Sequence, residues 1–128
     1  MSSNPSFDDS GLLRRLDAMS DAELDTLAFG VIGFDAERVV RRYSAHESKA
    51  SGLSRNRVVG LPLFDEVAVC MNNYMVAQRF EDAAADGSEL DATIDYVLTL
   101  RMRPVKVRLR MLAGPGVTGR FVAIDRRT

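Results

Sequence analysis

The sequence predicts an α+β domain: a five-stranded antiparallel sheet with helices on one face and a helical N-terminal cap. Three observations carry that reading. Residues 91–102 alternate apolar and polar side chains with period two, the mark of a long half-buried strand. The opening stretch instead spaces its leucines as a helix does and carries a helix-start signal. Between them the periods run helical cap, two strands, helices, three strands, an order that suits an antiparallel sheet with segregated helices. At 128 residues the chain is long enough to bury one sizeable core.

Each element follows in order. The first ten residues are polar. LLRRLDAM places Leu12, Leu13, Leu16 and Met19 at near-helical spacing, with Asp9 or Ser10 available as N-cap. SDAE, starting at Ser20, reads as a capping box opening a second short helix that carries Leu24 and Leu27. These two helices make residues 1–28 a cap, and residues 29–128 the main body of one globular unit. AFGVIGF and RVVRRY, joined by Asp35, Ala36 and Glu37, suggest a β-hairpin. A turn at Gly52, a helix around 55–59 and a loop at Gly60 and Pro62 lead into FDEVAVC. A firmer helix is expected over 73–86, with Met75, Val76, Phe80 and Ala83 inward and Gly87 as its stop. After the strand at 91–102, Arg103 and Pro104 turn the chain. Val105, Val107, Leu109 and Met111 then alternate with Lys106, Arg108 and Arg110, which reads as a strand with a solvated basic face. AGPG at 113–116 makes another turn, and GRFVAID a final strand.

Composition narrows the function. Hydrophobic residues are 46% and charged residues 27% of the chain, ordinary for a globular protein. A formal net charge of −1 gives no general argument for nucleic acid as a partner. No apolar run approaches the ~18 residues that span a bilayer, and the N-terminus lacks the basic start and apolar stretch of a signal peptide. The expectation is a cytoplasmic protein that does not engage a membrane. A single cysteine, Cys70, precludes an intramolecular disulfide and a cysteine-based metal cluster. The chain has no P-loop, no dinucleotide GxGxxG and no metal-ligand cluster, so no metal is expected. With no Trp and three Tyr, any visible colour must come from a bound group.

The segment RYSAHESKASG holds Tyr43, the only histidine (His46) and Glu47. Tyr43 and Glu47 are four apart and leave one face if the segment is helical. An exposed hydroxyl and acid on a short helix is the commoner case. If buried, each needs a partner, because an unpaired buried polar group costs about 1–3 kcal/mol. Cys70 is either a buried structural thiol or an attachment point at the end of an apolar loop. A nucleophilic Cys70–His46 pair is conceivable, but no feature of the sequence brings the two together.

Taken together, these motifs resemble the photoactive yellow protein family, small PAS-fold blue-light receptors, along nearly the whole chain. MSDAELDTLAFGVIGFD resembles the family's cap-to-first-strand passage, and RYSAHES its Tyr-x-x-x-Glu element. VVGLPLFDEVAVC resembles the approach to the chromophore cysteine, and YVLTLRMRPVKV the late hairpin. The resemblance implies a p-coumaroyl (4-hydroxycinnamoyl) group joined to Cys70 as a thioester, with its phenolic oxygen buried. Tyr43 and Glu47 would hydrogen-bond that oxygen, and Ser51 would support Tyr43. The Cys70 N–H would bind the thioester carbonyl, while Phe64, Tyr96 and Met102 fall at or near pocket-lining positions.

A phenolate in a low-dielectric pocket is expensive unless its charge is shared through short hydrogen bonds, and two weak-acid donors supply them. Glu47 must be protonated to donate. The mechanism then implied is light-driven trans/cis isomerisation, proton transfer from Glu47, and a buried carboxylate left without a partner, costly by about 3–5 kcal/mol. Relaxation would loosen the N-terminal cap in a reversible cycle. The sequence departs from the family pattern at Leu53, where an arginine is usual, at Ser51 for Thr, at Val69 for Pro, and in lacking the C-terminal Trp. His46 stands where a small residue is typical, and with Leu53 is a candidate for tuning. The reading is a light sensor and not an enzyme, a monomer or weak dimer that signals to a separate downstream protein. The alternatives are a PAS-type small-ligand or protein-interaction module without photoactivity, and a Cys70-dependent acyl transferase using His46.

Overall fold

A computed structural model describes residues 4–99 and 104–126. Its centre is a five-stranded sheet in the order β2-β1-β5-β4-β3, every neighbouring pair antiparallel. The strands are β1 (Gly30–Phe34), β2 (Val40–Tyr43), β3 (Leu90–Leu98), β4 (Val105–Gly114) and β5 (Val117–Asp125). The expected hairpin forms, with Ile32 opposite Tyr43. Its turn is held by Asp35, whose Oδ1 accepts from the backbone N–H of Glu37 and Val39, both at 3.0 Å. β3 and β4 pair in unbroken register from Leu90–Ala113 to Leu98–Val105. The alternation expected to run through Met102 is paired as far as Leu98, and Met102 itself lies outside the described residues.

Successive side chains of a strand point to opposite faces, and here both faces are covered. Ile32, Leu109, Met111, Val122 and Ile124 face one core together with Tyr43, Phe64, Val76 and Phe80. Val31, Leu112, Phe121 and Ala123 face the other, against Phe7, Leu12, Leu16 and Leu24. The first face carries α3 (Ala45–Ser51), α4 (Arg55–Val58) and α5 (Ala77–Asp86); the second carries α1 (Leu12–Ala18) and α2 (Asp21–Leu24).

The Ser20 capping box is present in full: Ser20 Oγ accepts from Glu23 N–H while Glu23 Oε1 accepts from Ser20 N–H at 2.9 Å. Two helix starts differ from expectation. The N-cap of α1 is Gly11 in the left-handed region (φ 69°), because Asp9 is engaged by the Ser6 N–H and hydroxyl and by Arg15. α5 begins at Ala77, since Asn73 Oδ1 accepts from the N–H of Met75 and Val76 and holds residues 73–76 in a turn that leaves Met75 exposed. Gly87 ends α5 with φ 65°, as anticipated.

The basic face of β4 is solvated at Lys106 but partly covered at Arg108 and buried at Arg110. Arg110 is only 6% exposed. Its guanidinium forks onto Asp91 at 2.8 and 2.9 Å and donates to the carbonyls of Phe7 (2.8 Å) and Asp9 (2.7 Å). Arg108 binds Asp8 and Asp125 and lies 4.8 Å over the Phe7 ring. Strand alternation fixes only which side chains share a face. Here the N-terminal segment covers the polar face and uses the arginines as its floor.

Candidate functional site

α3 carries the site's polar cluster. Ser44, fully buried, caps it: its Oγ accepts from Val31 N–H at 3.0 Å and Glu47 N–H at 3.3 Å, joining the helix start to β1. Glu47 and Ser51, four residues apart, share the inward face and are buried at 1% and 6% exposure. Tyr43, at the end of β2, is 2% exposed and its hydroxyl lies 2.8 Å from Ser51 Oγ. The segment is therefore buried, against the commoner reading of such a pattern. Ser51 Oγ also accepts from Leu53 N–H at 3.1 Å, and Ser48 Oγ donates to the Leu53 carbonyl at 2.7 Å, which fixes the turn into α4. Leu53 itself packs against the core that holds Tyr43.

Burial, and secondarily the charge of Glu47, push the Tyr43 phenol up to about 12 against the opposing pull of the Ser51 hydrogen bond and Arg126. Tyr43 is thus a protonated hydroxyl throughout the neutral range. Glu47 does have a charged partner, which the sequence did not indicate. Arg126 donates from Nη1 to Oε1 at 2.7 Å and from Nη2 to Oε2 at 2.9 Å, a bidentate fork. The two residues are separated by 79 positions, so no local spacing could have paired them. Gly30 makes room for the pair: a Cβ there would stand 2.1 Å from Glu47 Oε1.

Cys70 sits in a short 3-10 turn, Val69–Met71, entered through the π-helical turn Leu63–Val67. The thiol is partly exposed and packs against the same core as Tyr43, Leu53 and Tyr96. Its carbonyl accepts from the Tyr96 hydroxyl and from Asn73 Nδ2 at 3.1 Å, and Asn73 Nδ2 also meets the Tyr96 oxygen at 2.7 Å. Asn73 escaped the sequence reading as a site residue; its signal was an asparagine just ahead of a helix, the place for a side-chain turn. Phe64 is buried edge-to-face against Phe34, with ring centroids 5.5 Å apart, and beside Phe80. His46 is half-buried on α3, with Nδ1 buried and without a hydrogen-bond partner, so that atom makes no bond to Cys70.

The structure thus hydrogen-bonds Tyr43 to Ser51, sets Glu47 on the same face of α3 as Ser51, and hydrogen-bonds the Cys70 carbonyl to Tyr96, with Tyr43, Cys70 and Tyr96 packed on one core. The donor chemistry fits a small aromatic group with a phenolic oxygen: a partly exposed thiol, an aromatic wall, and a buried hydroxyl beside Ser51, with the buried Glu47 carboxyl held by Arg126. Among the described residues, no group of three or more His, Cys, Asp or Glu is placed to hold a metal, and no helix is long and apolar enough to cross a membrane.

This architecture, a five-stranded antiparallel sheet with helices and a site on one face, is that of a PAS domain. The PAS domain of the Cronobacter turicensis RpfR quorum-sensing receptor matches it with a TM-score of 0.56 over 78% of this chain and 94% of that one, at 12% identity, a likeness of fold alone. No family model matches the chain. The photoactive yellow proteins of Rhodothalassium salexigens and Halochromatium salexigens are 36% and 37% identical to it over 93 residues, 73% of this chain and 74% of each relative. The photoactive yellow protein domain of the sensor histidine kinase Ppr from Rhodospirillum centenum superimposes with a TM-score of 0.80 at 35% identity, covering 89% of this chain and 99% of that domain. The chain belongs to the photoactive yellow protein family, the PAS-fold photoreceptors.

Proposed function

We propose that the protein is a blue-light photoreceptor carrying a p-coumaroyl group as a thioester on Cys70. The observation that carries this reading is the buried Tyr43–Ser51–Glu47 cluster on the same core as the only thiol. Loading is an acyl transfer: Cys70 Sγ bonds to the carbonyl carbon of an activated p-coumaroyl donor, whose leaving group departs with the thiol proton. Once bound, the group supplies light-driven trans/cis isomerisation and a phenolic oxygen able to hold a negative charge.

The chain's own residues do the rest. Tyr43 donates its O–H toward that oxygen, oriented by Ser51, and Phe64 and Tyr96 exclude water along the wall; the family resemblance adds Met102, which lies outside the described residues. In the loaded protein at rest, by the family resemblance, Glu47 shares a proton with the phenolic oxygen in place of the Arg126 fork, and gives it up after light. Leu53 and His46 tune access and proton traffic. Relaxation of α3 around the Glu47 carboxylate then loosens the fastening of residues 1–28, and that loosening is what a downstream signalling protein reads. Among the family's usual features, the gating arginine is replaced here by an apolar Leu53 that packs against the core.

The test is direct. Mixing the protein with activated p-coumaric acid is expected to give a visible band that bleaches in blue light, recovers in the dark and is absent in Cys70→Ala. Failure to form any adduct would instead favour a PAS module without photoactivity, and steady release of free acid an acyl transferase. In Glu47→Gln the light-induced structural change is expected to shrink; an unaltered change rejects the charge-driven account.

A further inference from the structure

The carboxylate left after proton release was expected to be stranded. The geometry around Arg126 says otherwise. Glu47, 1% exposed, receives both arms of a guanidinium that is itself largely buried. The pairing depends on a position with no side chain, since any Cβ on Gly30 would overlap Glu47 Oε1. Neighbouring residues at the end of β5 also reach opposite faces of the sheet. Arg126 grips Glu47 on the α3 side, while Asp125 holds Arg108 at 2.8 Å, and Arg108 in turn holds Asp8 and covers Phe7 of the cap.

We infer that Arg126 is a positioning residue for the light cycle: it captures the Glu47 carboxylate after proton release, prolongs the light-adapted state, and ties that charge to the N-terminal cap through β5. The inference rests on the photoreceptor reading above. Its physical basis is the asymmetry of buried ion pairs. Forming one gains little net stability, whereas removing one partner leaves an uncompensated charge and is costly. With Arg126 present, the carboxylate is a satisfied state, and the return of the proton to Glu47 must first break a two-armed, charge-assisted contact. Without it, the carboxylate is the high-energy species and the proton returns readily.

The test uses Arg126→Gln, Glu47→Gln and the double variant, with Arg126→Lys retaining the charge without the fork. In the chromophore-free protein, urea unfolding is expected to give a coupling of about tenfold or more in the unfolding constant between positions 47 and 126. In the p-coumaroyl-loaded protein, Arg126→Gln is expected to recover in the dark at least about tenfold faster than wild type, with Arg126→Lys between the two. Infrared difference spectra with labelled carboxyl groups should show the Glu47 carboxylate band shifted in Arg126→Gln. A recovery rate within twofold of wild type overturns the inference, whatever the coupling. If wild type forms no adduct, the photoreceptor reading fails separately, and the absence of coupling in the chromophore-free protein overturns the pair on its own.

Discussion

Tyr43 shows what burial does to a single residue. Its phenol, ordinarily near 10, stands at about 12 because ionisation would place a charge in the core beside Glu47. A pKa raised on folding means that the folded state holds its proton where the unfolded state has lost it. The contribution is whole below pH 10 and is lost as pH rises from 10 to about 12. Its size is on the order of 2 kcal/mol. Urea titrations at several pH values should therefore show stability falling across that window, and Tyr43→Phe should flatten the slope while costing about 1 kcal/mol at neutral pH through the lost Ser51 bond. A slope unchanged in Tyr43→Phe would assign the alkaline loss to another group. Gly30 supports a second expectation. A methyl there stands 2.1 Å from Glu47 Oε1 and 3.2 Å from Arg126 Nη1, so Gly30→Ala must break the fork. A loss of about 3 kcal/mol in unfolding free energy is expected; a loss below about 0.5 kcal/mol, the range of neutral surface changes, rejects the close approach.

At the scale of elements, β4 separates what a sequence states from what a fold decides. Its alternation correctly gave a strand, and correctly set Val107, Leu109 and Met111 inward. It could not say that Phe7 and Asp9, about a hundred positions away, would lie on Arg110. Arg110→Ala removes the partner of Asp91 and the donor to two cap carbonyls, and is expected to cost about 3 kcal/mol and to open residues 4–10 to proteolysis. Lys106→Ala, on an exposed position of the same strand, should cost less than about 0.5 kcal/mol. The same distinction holds at the site. The four-residue spacing of Tyr43 and Glu47 suggested one helical face, but Tyr43 ends β2 and only Glu47 and Ser51 share a face of α3, so both the meeting of the three and their burial needed the fold. Arg126 was illegible because its partner comes through sheet topology. The π-helical turn was illegible because five residues of mixed character give no period to read.

For the molecule as a whole, the question is how a charge on α3 reaches a cap on the opposite face of the sheet. Asp25, the C-cap of α2, provides a short route. Its Oδ1 accepts from Ala45 N–H at 2.9 Å, at the first turn of α3, and the same oxygen pairs with Arg55. Arg55 Nε in turn donates to the Tyr43 carbonyl at 2.9 Å. One carboxylate therefore fastens the cap to both ends of the hydrogen-bonded segment that positions Tyr43 and Glu47. A displacement of α3 that lengthens the Ala45 contact weakens α2 first, since that helix has only four residues. Asp25→Ala removes the fastening without touching the site's side chains. Amide hydrogen exchange over residues 12–24 should then rise about tenfold in the dark, the equivalent of roughly 1.4 kcal/mol of local stability. Light should add little further exchange in that variant, while wild type should show its largest light-dependent increase in the same residues. An undiminished light-induced increase in Asp25→Ala would mean that the cap is released by a route that bypasses α2, leaving the Asp125–Arg108–Asp8 connection through β5 as the remaining path.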